Sequence, residues 1–363
     1  MVEYPHFTIT EETGPYYPSG SGAQPIIAIG KTPLDPEPTK VYKFVNYEQA
    51  ALPHGSGGIG ASGDNPLLDG IKAIFEEGMA VNPVDGASVG VVYAINLGQT
   101  PTPQNILNAR EATLSIVKDP AIEVYFGITD VTVMNSVGAA IQQNRSAGFY
   151  RFAWFSHNQN ATIADVCKLT DSNQQQYVRS SFVGIKYDPS TLGYYVAKEA
   201  CTPYYITPSY EPYRALTLDM IQDLTYSEID QLLRAGIVPD YEYMLPLASS
   251  GKVKPVRALA TSYAKTSPPA DAARHVRRNA DYQFRQIDLR LNSVIGMNDS
   301  ESDIETIREM LNAYLEGEKN LNRIKDYNIS VSLTDQPHTL YVVRMVKPVR
   351  AIKFIVEKSI IKV

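Results

Sequence analysis

Gly86-Ala87-Ser88-Val89-Gly90 fits G-x-S-x-G, the pattern that raises a nucleophilic serine on a turn between a strand and a helix. The local order here is reversed. The alternating stretch SVGVVYAINL begins at the serine itself, so Ser88 is expected to lead into a strand. A hydrolase using Ser88 stands as the last of the alternatives. Gly55-Ser56-Gly57-Gly58-Ile59-Gly60 fits G-x-G-x-x-G, which binds dinucleotides only where it joins a strand to a helix. YEQAALP precedes it and is no strand, so the stretch reads as a loop.

The remaining reactive side chains are scattered. Cys167 and Cys201 are the two cysteines, expected as buried thiols in a reducing compartment. The five histidines, at positions 6, 54, 157, 275 and 338, show no metal-ligand spacing. Glu11-Glu12 and Glu76-Glu77 read as solvated pairs. There is no P-loop and no C-x-x-C. The expectation is a protein that is not an enzyme, with no catalytic residues, no metal and no cofactor.

One charged constellation is more ordered. Arg274, Arg277, Arg278, Asp281 and Arg285 sit at i, i+3, i+4, i+7 and i+11, one largely basic helical stripe. Val276, Tyr282, Ile287 and Leu291 occupy the other side. The stripe is either a solvated face or a contact for an acidic protein partner. A net charge of −6 over 363 residues gives no support for nucleic-acid binding. The 24 tyrosines suit either a hydrogen-bonded core or surfaces that become interfaces.

The elements that must position these residues alternate. IIAIG reads as a buried strand, LLDGIKAIFEEGM as a helix with Leu67, Ile71, Ile74 and Phe75 on one face. TPQNILNAREATLSIV is a helix with Thr102 as N-cap and Pro103 at its first position. AIEVYFGIT is a strand, VTVMNSVGAAIQQNRSAG a helix and FYRFAWFS a strand. This order predicts a partly parallel sheet with helical cover. LTYSEIDQLLRAGI carries a capping box, Thr225 with Glu228, and ends at Gly236. ASSGKVKPVRALATSYA predicts a hairpin turning near Ser250–Gly251–Lys252. Two helices follow, over roughly 270–295 and from a cap at Ser302 to near Gly317. YNISVSL, a turn at TDQPHT and further strands close the chain.

Both ends stand apart. HFTIT alternates, with Phe7 and Ile9 on one side, and a Pro-, Gly- and Ser-rich linker follows it. The start is expected to carry no signal peptide, and no run approaches the roughly 20 apolar residues of a membrane span. Residues 349–363, if extended, reach roughly 50 Å at about 3.3 Å per residue. Ile352, Phe354 and Val356 share one face; Val349, Ala351 and Ile355 share the other. A strand at a chain end invites pairing with another chain. Residues 344–363 hold six basic side chains against Glu357, while residues 1–30 hold Glu3, Glu11 and Glu12 and no Lys or Arg. Such arms attract one another between subunits.

In segment order nearly the whole chain resembles the contractile tail sheath proteins of tailed phages and R-type bacteriocins. The resemblance rests on IIAIGKTPLDPEPTKVYKFVNYEQAALPHGSGG, then PLLDGIKAIFEEGM with VVYAIN, then YSEIDQLLRAGIVP with GKVKPVRALATS. It ends on IREMLNAYLEGEKNLNRIKDYNISVSL followed by LYVVRMVKPVRAIKFIVEKSIIKV. The start GPYYPSG replaces the family's Pro-Gly-Val-Tyr, and Val256-Arg257 stands where the family has Val-Glu-Arg.

The resemblance implies α/β and α+β parts. They are an N-terminal arm over 1–25, an inserted α/β middle domain over 26–250, a sheath core domain over 251–348 and a C-terminal arm strand over 349–363. It implies arms that add strands to neighbouring subunits, through Val349, Arg350, Ile352, Phe354, Val356, Lys358, Ile360 and Ile361 at one end. At the other end they act through Glu3, Phe7, Ile9, Glu11 and Glu12. The implied partners are copies of the chain in stacked sixfold discs, an inner tail tube, and baseplate and terminator proteins at the ends. No nucleic acid and no membrane insertion are implied. The place would be a virion tail or an extracellular contractile particle. Arg274, Arg277, Arg278 and Arg285 become candidates for touching the tube, with the helix from Ser302, Lys319 and Arg323 competing. Another tail or capsid assembly subunit, such as a tube or baseplate protein, is the alternative.

Overall fold

The computed structural model describes residues 23–78, 88–118, 120–145, 147–157, 161–169, 182–206, 213–217, 220–242, 253–255, 274–294, 300–333 and 340–348. The expected arm residues, Glu3 to Glu12 and Val349 to Ile361, lie outside them.

Five apolar or small residues in a row form β1 (Ile26–Gly30), buried at every position. Burial on both faces is what a central parallel strand requires. β1 pairs in parallel with β3 (Val92–Asn96) on one side and β4 (Ala121–Phe126) on the other. β5 (Arg151–Ser156), β6 (Val183–Lys186) and the short β7 (Ile237–Val238) extend the sheet in parallel beyond β4. β2 (Tyr42–Phe44) closes the other edge antiparallel to β3. The seven-stranded order is β2-β3-β1-β4-β5-β6-β7.

Helices cover both faces, as right-handed crossovers between parallel strands dictate. α2 (Pro66–Gly78) and α6 (Leu192–Cys201) pack on the face of Ile26, Ala28, Phe152 and Trp154. α3 (Pro103–Leu114), α4 (Val131–Arg145), α5 (Ile163–Lys168) and α7 (Tyr226–Ala235) enclose the face of Ile27, Ile29, Tyr125 and Phe155. The Thr102 N-cap and the Thr225–Glu228 capping box form as expected, and Gly236 ends α7 in the left-handed region. A short α1 (Tyr47–Ala51) precedes the glycine loop.

A second unit follows. α8 (Arg274–Asn292) and α9 (Glu301–Asn320) lie against an antiparallel pair, β10 (Ile324–Leu333) and β11 (Leu340–Pro348). Ile304, Ile307, Leu311 and Leu315 fall at i, i+3, i+7 and i+11 on α9 and are buried with Ile287, Ile329 and Val331. Each such side chain contributes about 2 kcal/mol of burial. Between the units, β8 (Asp240–Glu242) pairs antiparallel with β9 (Val253–Pro255).

Three local expectations are corrected. α9 is capped by Ser300, whose hydroxyl accepts from the Asp303 N–H, and not by Ser302. It runs past Gly317, which faces open space and so is tolerated, and the chain turns at Asn322 with φ of 55°. The strand from Ser88 starts only at Val92, because the Val89 N–H turns aside to the Gly78 carbonyl at 2.8 Å. Val253–Pro255 pairs with the upstream strand Asp240–Glu242, while the expected turn at 250–252 lies outside the described residues.

Candidate functional site

The sheet crevice and the glycine loop are both filled by protein. Open α/β sheets bind ligands outside the carboxyl ends of strands where the winding reverses, here between β1 and β4. That crevice is closed. The Lys31 N–H donates to the Phe126 carbonyl at 3.1 Å, and the Leu67 N–H donates to the Lys31 carbonyl at 3.1 Å. A Cβ on Gly30 would stand 2.9 Å from the Phe126 Cβ and 3.1 Å from the Leu67 Cβ; one on Gly70 would enter the Phe126 ring. Next door, Asn96 accepts from the Thr32 hydroxyl and the Gly98 N–H while donating to the Asp35 carbonyl. The polar groups at the crevice are spent on its own loops.

The glycine loop has the same character. Gly58 and Gly60 press on α1: added Cβ atoms would lie 2.2 Å from the Leu52 carbonyl oxygen and 2.1 Å from that of Ala51. These glycines permit backbone packing. Ser88 is exposed, ahead of β3, with a strand after it where a nucleophile elbow needs a helix. Cys201 is buried, and burial pushes its thiol up to about 12; Cys167 is half-buried. Among the described residues no group of His, Cys, Asp and Glu could hold a metal ion, and no helix is long and apolar enough to cross a membrane.

A polar network forms the seam between the two units. Tyr150, just before β5, donates its hydroxyl to Asp288 on α8 at 2.7 Å. Arg344 on β11 bridges Asp288 and donates to the same tyrosine oxygen at 2.7 Å. Burial, then the Asp288 hydrogen bond, raises the Tyr150 phenol well above its usual range. Arg145, ending α4, pairs with Asp281 on α8 at 2.5 Å and lies over the rings of Tyr150 and Phe284. Farther along, Tyr204 donates to Glu318 on α9 at 2.7 Å and stacks on Tyr282 with ring centres 3.6 Å apart. Gln283 also donates to Glu318, at 2.8 Å, and Arg323 pairs with it at 3.1 Å.

These contacts relocate the basic stripe. Arg278 is fully buried; its Nε donates to Gln24 at 3.0 Å and its Nη2 to the Thr202 carbonyl at 2.6 Å. Desolvation lowers its pKa, and the nearby Glu199 opposes that shift. Asp281 is buried too. Arg278 therefore faces the first unit of its own chain, which corrects its reading as a tube contact. Arg277 lies over the Phe182 ring, with its side chain one-quarter exposed, and Arg285 is half-buried. Arg274 opens α8. Helical spacing placed these residues on one face, but it carried no signal that the first unit covers that face.

Two buried ion clusters brace the first unit. Glu123 on β4 lies between Arg110 at 3.3 Å and Arg151 at 3.2 Å and accepts from the Tyr125 hydroxyl. Lys186 on β6 pairs with Asp240 at 2.5 Å, and Asp240 also accepts from Thr191 and Tyr213. Asp240 opens β8, so this pair fastens the strand leaving the sheet. Glu77 is likewise buried, correcting its reading as solvated: it accepts the N–H groups of Arg214 and Ala215.

This scaffold is a doubly wound sheet with a plugged crevice, joined to the second unit by the Arg145–Asp281 ion pair and by hydrogen bonds from Tyr150 and Tyr204. Comparison with solved structures gives that scaffold its fold. The chain has the fold of sheath tail proteins. One from Listeria innocua matches at a TM-score of 0.64 and 10% identity, over 91% of this chain and 93% of its own. One from Desulfitobacterium hafniense matches at 0.56 and 12%, over 96% and 100%. A chain of the anti-feeding prophage baseplate, a six-fold symmetrised assembly, matches at 0.64 and 14%, over 100% of both. No protein-family model and no curated relative matches the sequence.

Proposed function

We propose that this chain is the structural subunit of a contractile tail sheath. Its copies stack as sixfold discs around an inner tube, joined by strand exchange, and contract to drive the tube through a target envelope. Baseplate and terminator proteins would bound the cylinder, within a virion tail or an extracellular contractile particle. The observation that carries this reading is the match to sheath tail proteins over both units together. The plugged crevice supports a mechanical role. Among the described residues β10 and β11 pair only with each other, leaving two edges for arms from neighbouring copies.

Strand exchange suits a contracting lattice. Backbone hydrogen bonds in an added strand are nearly indifferent to side chains and survive rotation of the joined bodies. Interfaces between bodies can then be exchanged for better ones. A gain of about 2 kcal/mol per subunit, summed over hundreds, gives a cooperative release.

Negative-stain images of the purified protein test the reading. Hollow, wide, ridged cylinders are expected; protein that stays dispersed under all assembly conditions would refute it. The baseplate match favours a second reading, a ring subunit at the tail end. Single closed rings that never lengthen would select it.

A further inference from the structure

Both ends of the described chain lead to one corner of the second unit. Gln24, near the first described residue, is held by Arg278, and the adjacent Asn279 donates to the Arg323 carbonyl at 2.7 Å. Arg323 lies between Asn322 and Ile324, which line a concavity of about 880 Å³. Lys319, Lys325, Lys347 and Asn320 also line it, as does Pro348, the last described residue. Lys319 has a local role: it completes the α9 C-terminus and pairs with Asp326 at 3.4 Å. Lys325 and Lys347 are exposed at the mouth. One carboxylate, Asp326, leaves the concavity basic.

The segment that precedes Gln24 is its charge complement. Residues 1–22 hold Glu3, Glu11 and Glu12 and no Lys, Arg or Asp. Glu11 and Glu12 are separated from Gln24 by about a dozen residues, at most about 40 Å of extended chain. A tether this short gives an effective concentration in the millimolar range for docking on the same chain.

We propose that in the unassembled protein the acidic segment 1–22 docks in cis on the Lys319–Lys325–Lys347 concavity of its own chain. The contact shields a basic surface next to the β10 and β11 edges that no described strand pairs with, and it has to be released before that segment can join another copy. The consequence for assembly rests on the sheath reading; the contact itself does not.

Carbodiimide coupling of dilute monomer, prepared as a mixture of ¹⁵N-labelled and unlabelled full-length chains, tests it. Amide bonds joining Glu11 or Glu12 to Lys325 or Lys347 are expected in peptide pairs of a single isotope. Their yield should fall several-fold between low and high salt, because exposed charges are screened. Mixed-isotope pairs would assign the segment to a second copy and overturn the proposal. Absence of these pairs, or a yield indifferent to salt, would overturn it as well. Failure to see cylinders by microscopy leaves this result unaffected, so the two readings fail separately.

Discussion

Tyr150 and Arg344, 194 positions apart, share a hydrogen bond of 2.7 Å across the seam, with Asp288 holding both. One residue precedes a strand of the first unit and the other lies on a strand of the second. Their meeting makes the two units mechanically one body at this point.

Removing that meeting should loosen the seam before it unfolds either core. Tyr150→Phe deletes one hydroxyl serving two partners and should cost about 1–2 kcal/mol; Asp288→Ala removes the carboxylate that Tyr150 and Arg344 share and should cost about 1–3 kcal/mol. Urea unfolding measures both. A double-mutant cycle of Tyr150→Phe with Arg344→Ala should return coupling of about 1 kcal/mol. Additive effects would show that the pair is a bystander.

Neighbouring arginines on α8 should behave differently. Arg278→Ala opens a buried gap between the units and abandons the Thr202 carbonyl, a loss of about 2–4 kcal/mol. Arg277→Ala, at a partly exposed position, should cost about 1 kcal/mol or less. Thermal melts of the two variants, run side by side, read the contrast.

Gly184 has no room for a methyl group. A Cβ there would stand 2.5 Å from the Trp154 indole. Gly184→Ala should cost about 1–3 kcal/mol through overpacking. Trp154 is the sole tryptophan, so its fluorescence reports this position directly. An unchanged emission maximum and melting temperature would contradict the geometry.

Glu77 should give an unusual acid dependence. Burial raises its pKa above 4.5, and the Arg214 and Ala215 N–H groups only partly oppose this. Its folded form thus holds its proton more tightly than its unfolded form. Its contribution to stability is fully present below the unfolded value and is lost as pH rises through the folded value. Glu77→Gln should flatten that decline just above pH 4.5, measured as the difference in unfolding free energy between variant and parent.

Deleting residues 350–363 should leave a soluble, folded monomer that forms no cylinders. Sedimentation and negative-stain imaging check this; normal cylinders from the truncated chain would remove strand exchange from the proposed function.

Local elements were written in the sequence because their causes are local. Thr102 before Pro103, Thr225 three residues before Glu228 and the apolar run IIAIG each carry their own signal, and each forms the expected element. The alternation of strands and helices was enough to predict a partly parallel sheet; in the structure only β2 runs antiparallel within it. Short pieces without a strong period were missed: α5, β6 and α6, although Asp188 before Pro189 is a visible cap just ahead of α6. Two available serines were also misordered, since Ser300 and Ser302 can each cap a helix and only packing chooses between them.

Local signals in the chain set where its strongest helices and strands form, and its two terminal segments carry opposite charge. Only the folded arrangement makes Arg278, Asp281 and Glu77 interior, fills the crevice with Phe126 and Leu67, and brings Tyr150 to Arg344. The physical reason is one of range. Caps and periodicity act within a few residues, whereas burial of a charge depends on which distant surface covers it.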